Sequence, residues 1–266
     1  MDTNENSLVS ELNLKLKVVE QKLRDYILEN YDINNNDIAL KFTHTFQTRL
    51  VNDKITQSLN LTERQCYLAS LIALFHDYAR FEQVKKYATF SDLKSVDHGD
   101  LAVEMLFDNN QLENFVTDLT ESEKEIMYFA IKNHNKFAIQ DGLTDEQLLF
   151  CKIIRDADKL DIFRILSCDP RCENLPKGQL IEEELDNFYN HKLYKRRKDM
   201  NLYSVVLSHL SLVYDLNFDI SCQILLVSKH IKMHMYSILL WATFKIDEDI
   251  IDCADYAERY LKERLK

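Results

Sequence analysis

The chain reads as an all-α protein, and two observations predict it. Its 266 residues hold only three glycines and two prolines, where average usage is about 7% and 5%. Apolar residues also recur at three- and four-residue spacing from the first segment onward. Sheets need turns, and turns draw on glycine and proline, so an all-β or Rossmann-type fold is excluded. Gly99, Gly142 and Gly178 lie too far apart for a glycine-rich phosphate loop.

The elements follow in order. Leu8 to Tyr31 shows apolar residues at helical spacing, Leu12, Leu14, Leu16, Val19, Leu23, Tyr26 and Ile27, with charges between them. Asn34 to Asn36 is a polar break, after which Asp37 can cap a second helix running through His44 to about Leu59. Thr62, with Glu63 and Arg64 behind it, opens a third helix. Its run from Tyr67 to Phe75 is apolar on nearly every face, so it belongs at the centre of the fold and ends at His76-Asp77. Further helices are expected near 97–109, 121–134 and 144–166. Both prolines and one glycine then fall between Ser167 and Gly178, the strongest boundary signal in the chain. Beyond it, helices are expected near 178–194, 200–214, 218–243 and 248–264.

Composition narrows the function. The 33 basic and 44 acidic side chains leave a net charge of −11, which argues against a dedicated nucleic-acid coat or a polybasic membrane binder. The nearly apolar runs Leu68 to Phe75 and Tyr236 to Phe244 are shorter than the roughly 20 residues a bilayer requires. No secretory leader pattern opens the sequence, and the six scattered cysteines read as reduced thiols. The expected location is therefore cytoplasmic, with no membrane partner. Cys168 and Cys172, flanking a proline, are the one pair close enough for a disulfide or zinc role.

Three local patterns carry chemistry. His76 and Asp77 end a very apolar helix, where a charged carboxylate beside an imidazole is costly unless something pairs with it. A divalent cation would remove that cost, taking nitrogen and oxygen donors together. An ordinary solvated helix end is the alternative. Asp156, Asp158 and Asp161 put three carboxylates within six residues of an apolar helix. Asp158 and Asp161 share a face, and a surface acidic face balanced by Arg155 and Lys159 is the competing reading. His44 lies in Lys41-Phe42-Thr43-His44-Thr45-Phe46, among apolar neighbours; alone it reads equally as a core histidine.

In order, these patterns give His44, then His76-Asp77, then an aspartate in an Ala-Asp-x-Leu context. This resembles the HD-domain superfamily of metal-dependent phosphohydrolases. The words His76-Asp77-Tyr78-Ala79-Arg80, then Phe90-Ser91-Asp92 through Asp97-His98-Gly99, strengthen the likeness. It covers about residues 37–166, within a single helical domain of residues 1–266 whose segment 178–266 is a C-terminal helical extension. The resemblance implies an all-α HD core and four metal ligands: His44, His76, Asp77 and Asp158, with Asp156 as the alternative to Asp158. It implies that His98 and His134 hold a second metal or contact phosphate, although Asn133-His134-Asn135 stands where two-metal members often carry a His-His pair. Catalytic roles fall on Asp77 and Arg80, and substrate contacts on Arg80 and Asp161.

Two imidazoles and two carboxylates suit one or two ions of Mn, Fe, Co, Ni or Zn better than Mg or Ca. The implied partner is a small phosphorylated substrate, a nucleotide by resemblance. A non-catalytic nucleotide-binding HD module and a di-iron HD oxygenase are the competing functions; retention of all four ligands favours the hydrolase. The sequence does not fix the oligomeric state. His230 and His234 lie four apart and read as an amphipathic helix face, and the basic run Lys192 to Lys198 reads as a solvated helix end.

Overall fold

In the computed structural model, the described residues are 3–169, 175–195, 197, 199–242 and 246–266. They are helical, with no strand among them. They divide into two compact units, residues 1–158 and 159–266. The division falls inside a helix rather than at the Ser167–Gly178 stretch, part of which, with Cys172, lies outside the described residues.

The first unit is built around α3 (Glu63–Phe75), on which α1 (Thr3–Asn30), α2 (Asn36–Thr56) and α6 (Glu121–Asn133) pack. Every residue of α3 from Tyr67 to Phe75 is buried, as its unbroken apolar run requires. Thr62 forms a full capping box with Gln65, and Thr120 does the same with Glu123 at the start of α6. Of the apolar residues expected on α1, Leu12, Leu16, Val19, Leu23 and Ile27 are buried, Tyr26 is half-buried, and Leu14 is exposed because it lies off that stripe. The cap of α2 is Asn35, whose side chain accepts from the Asp37 and Ile38 amides, so that helix starts two residues before the expected one.

Two local features were not expected. A helix, α4 (Tyr78–Tyr87), follows α3 directly, and α5 (His98–Val103) passes into a π-helical turn at Glu104–Asp108. Helix α7 (Asp145–Leu166) runs through the division at Asp158. The second unit contains α8 (Glu182–Tyr189), α9 (Leu202–Leu210), α10 (Asp219–Ser228), α11 (His230–Trp241) and α12 (Glu248–Arg264), with α12 packed on α9, α10 and α11. The expected 218–243 helix is two helices, because Lys229 takes a left-handed φ of 58° between α10 and α11. No helix among the described residues is long and apolar enough to cross a membrane.

Candidate metal centre

Helix ends bring the donor residues of the first unit together. His44 sits mid-α2 and is fully buried, His76 closes α3, and Asp77 joins α3 to α4 at φ −102° and ψ 19°. That break in the helix lets two sequence neighbours turn inward together, which a continuous helix would forbid. His98 opens α5 behind its cap Asp97, and His134 closes α6.

The donors form two groups that share Asp77. In the first, His44 Nε2 lies 3.4 Å from His76 Nε2 and 3.4 Å from Asp77 Oδ2. Asp158 Oδ1 joins it, 3.1 Å from His44 Nε2 and 3.8 Å from His76 Nε2. In the second, His98 Nε2 and His134 Nε2 stand 3.0 Å apart, and they lie 3.4 Å and 3.5 Å from Asp77 Oδ1. Asp77 thus turns one carboxylate oxygen to each pair of histidines. Of the two α7 aspartates weighed from sequence, Asp158 is the one beside His44; Asp156 is fully buried.

Hydrogen bonds behind the rings set which nitrogen faces inward. His76 Nδ1 lies 2.8 Å from the Ala73 carbonyl, and His134 Nδ1 lies 2.6 Å from the Ile131 carbonyl. A carbonyl only accepts, so each Nδ1 carries the hydrogen and each Nε2 presents a lone pair. His98 Nδ1 faces Asp92 Oδ2 at 2.7 Å with the same result. Lone pairs therefore point at lone pairs and at carboxylate oxygens. Donors held about 2.0–2.2 Å from one cation lie about 3 Å from each other, so these residues fit a divalent ion in each group.

The electrostatics agree. Burial pushes the His76 imidazole down to about 4, against the pull of Asp77 and Asp158. Burial, with the nearby Arg80 charge, pushes His98 down to about 3. Burial alone would raise the Asp77 carboxyl, yet the charge of Lys41, 2.6 Å away, holds it well below its usual range. Asp158 is likewise held low, with the His44 hydrogen bond overcoming burial. Neutral imidazoles and ionised carboxylates are the forms that bind metal.

A supporting layer fixes these side chains. Arg80 donates through one terminal nitrogen to Gln83 Oε1, the Phe90 carbonyl and Asp92 Oδ1, and its Nε lies 3.5 Å from Asp77 Oδ1. Asn135 donates to Asp92 Oδ2 and Asp97 Oδ1. It crosses Gly99 so closely that a Cβ there would sit 2.4 Å from Asn135 Oδ1, which explains the glycine. Arg155, buried on α7, donates to the carbonyls of Asn133 at 2.8 Å and Lys136 at 2.6 Å, closing the end of α6 that carries His134.

The remaining sequence candidates belong to the second unit. Asp161 is fully buried and takes two bonds from Arg164, at 2.5 Å and 3.0 Å. His234 is buried, its Nδ1 on the Leu166 carbonyl and its Nε2 facing His209. Within the basic run, Arg197 pairs with Glu184 at 2.7 Å, while Arg196 and Lys198 lie outside the described residues. Sequence reasoning passed over Lys41, Asp92 and Asn135. The one available signal was spacing, since Lys41 lies one turn before His44 on the same helix.

Comparison with known families matches residues 42–162 to the HD domain. No curated protein and no solved structure matches the chain.

Proposed function

We propose that this chain, which belongs to the HD-domain superfamily, is a metal-dependent phosphohydrolase cleaving a phosphate ester or anhydride, with nucleotides as its substrate class. The observation that carries the reading is the pair of histidine groups converging on the two oxygens of Asp77, with the proton-free Nε2 atoms of His76, His98 and His134 facing inward. His44, His76, Asp77 and Asp158 would hold one divalent ion, and Asp77, His98 and His134 a second. Such ions polarise a phosphoryl group and lower the pKa of a bound water towards neutrality.

The chain's own residues supply the rest. Asp77 is the shared ligand. Asp158, with 14% of its side chain exposed against 3% for Asp77, is the carboxylate that meets an incoming water and takes or orients its proton at the oxygen turned away from His44. Arg80 brings a fixed guanidinium beside the centre, suited to a phosphoryl group gaining negative charge. Mixed nitrogen and oxygen donors favour Mn, Fe, Co, Ni or Zn. The deciding experiment is phosphate release from a panel of nucleotides and simple phosphate esters with each ion, for wild type and Asp77→Ala. Release that needs the ion and disappears in the variant supports the hydrolase. Equal release by both proteins would overturn it.

A further inference from the structure

Lys41 reaches the centre from α2, with its Nζ 2.6 Å from Asp77 Oδ2. Arg80 addresses the opposite oxygen, its Nε 3.5 Å from Asp77 Oδ1. Both cations also lie against one aromatic ring: Lys41 Nζ is 5.5 Å from the Phe90 centroid, and the Arg80 guanidinium carbon is 5.7 Å from it. The half-buried Phe90 ring therefore sits beside two positive groups, each resting on one oxygen of the shared carboxylate.

The two cations differ in freedom. Arg80 is tied by Gln83, the Phe90 carbonyl and Asp92, so it is a fixed element. Lys41 is a point charge on a four-carbon stem, it stays 13% exposed, and its ion pair with Asp77 is of a kind that a bound cation would replace. Released from Asp77, its ammonium needs only bond rotations to meet an anion arriving at the same carboxylate.

We propose that Lys41 selects a phosphomonoester over a phosphodiester at this centre, by binding a phosphoryl oxygen that only the monoester has to spare. The inference rests on the hydrolase reading. A monoester presents three non-bridging oxygens and two negative charges, and a diester presents two oxygens and one charge. Once each of the two donor groups flanking Asp77, loaded with its ion, has taken one oxygen, only the monoester retains a third for Lys41. The extra charge acts in the same direction, because an ammonium at a mostly buried site attracts a dianion more strongly than a monoanion.

The test uses the full-length, manganese-loaded chain with p-nitrophenyl phosphate, bis(p-nitrophenyl) phosphate and inorganic phosphate. Wild type, Lys41→Met and Lys41→Arg are compared for the monoester-to-diester ratio of kcat/KM, for phosphate affinity by calorimetry and for metal content. Loss of one charge-assisted hydrogen bond predicts a fall of about tenfold or more in that ratio and in phosphate affinity for Lys41→Met. Metal content should match wild type, and Lys41→Arg should keep most of both properties. An unchanged ratio, or unchanged phosphate affinity, would overturn the assignment. If Lys41→Met melts early, Lys41→Gln takes its place under the same criteria. If loaded wild type cleaves neither ester, the hydrolase reading fails on its own account. Phosphate affinity then decides the Lys41 contact alone: a tenfold loss upholds it, and no loss removes it.

Discussion

His98 Nε2 and His134 Nε2 face each other at 3.0 Å although neither has a proton to give. Their Nδ1 hydrogens are committed to Asp92 and to the Ile131 carbonyl. A cation between the rings resolves that contact. Manganese- or zinc-loaded wild type should therefore hold about two equivalents of metal by mass spectrometry, and His134→Gln about one. Asp77→Asn should lose most of both, because one carboxylate serves both groups. A wild-type count of one would eliminate the second ion.

Asp92 touches no Nε2 atom, yet it orients His98 and anchors Arg80. Replacement by Asn keeps its shape and removes its charge. Carboxylates behind a ligand histidine contribute about 10–100-fold to metal affinity or activity, so Asp92→Asn should lose that much in either property. Full affinity and full turnover together would show that the carboxylate charge behind His98 has no influence.

Gly99 has no room for a side chain, with Asn135 Oδ1 at 2.4 Å and the Lys132 carbonyl at 3.1 Å from the Cβ position. Gly99→Ala should destabilise the fold by about 1–3 kcal/mol. It should also displace Asn135 and weaken metal binding at His98 and His134 more than at His44 and His76. Equal weakening at both groups would mean that the crowding is not local.

The line of histidines and aspartates was legible because each of these side chains sits at a position that sequence pattern marks. His76 and Asp77 end the one helix that is apolar on nearly every face, and Thr62 announces where that helix starts. The family likeness then put His44 and Asp158 in the same set, and the structure brings both beside His76. Lys41 and Asn135 were not legible, because their partners lie 36 and 43 residues away, at Asp77 and Asp92. Helix α4 was missed because it follows α3 with only His76 and Asp77 between them, and Asp77 makes no side-chain cap. The break at Lys229 carries no glycine or proline; a lysine adopts the left-handed turn there without any signal from composition.

His234, in the second unit, supplies a pH signature of its own. Burial pushes its imidazole from 6.5 down to about 4, so the folded chain refuses a proton that the unfolded chain accepts between those values. Stability should thus be complete above about pH 6.5 and fall as the pH drops towards 4, by about 3 kcal/mol from this group. Chemical unfolding of wild type and His234→Gln across pH 4–7 checks it, and the variant should show a shallower slope. Parallel curves would assign the acid sensitivity to other groups.

Arg155 and Asp158 stand one turn apart on α7, the first fastened to the carbonyls that end α6 and the second placed beside His44. A single helical turn therefore sets the register of both halves of the centre. Neither half can be tuned in isolation: a change at Arg155 reaches His134 through the α6 terminus and Asp158 through their common helix. Paired substitutions at Arg155 and His44 should accordingly deviate from the sum of their separate effects, as in a mechanism whose two jaws turn on one pin.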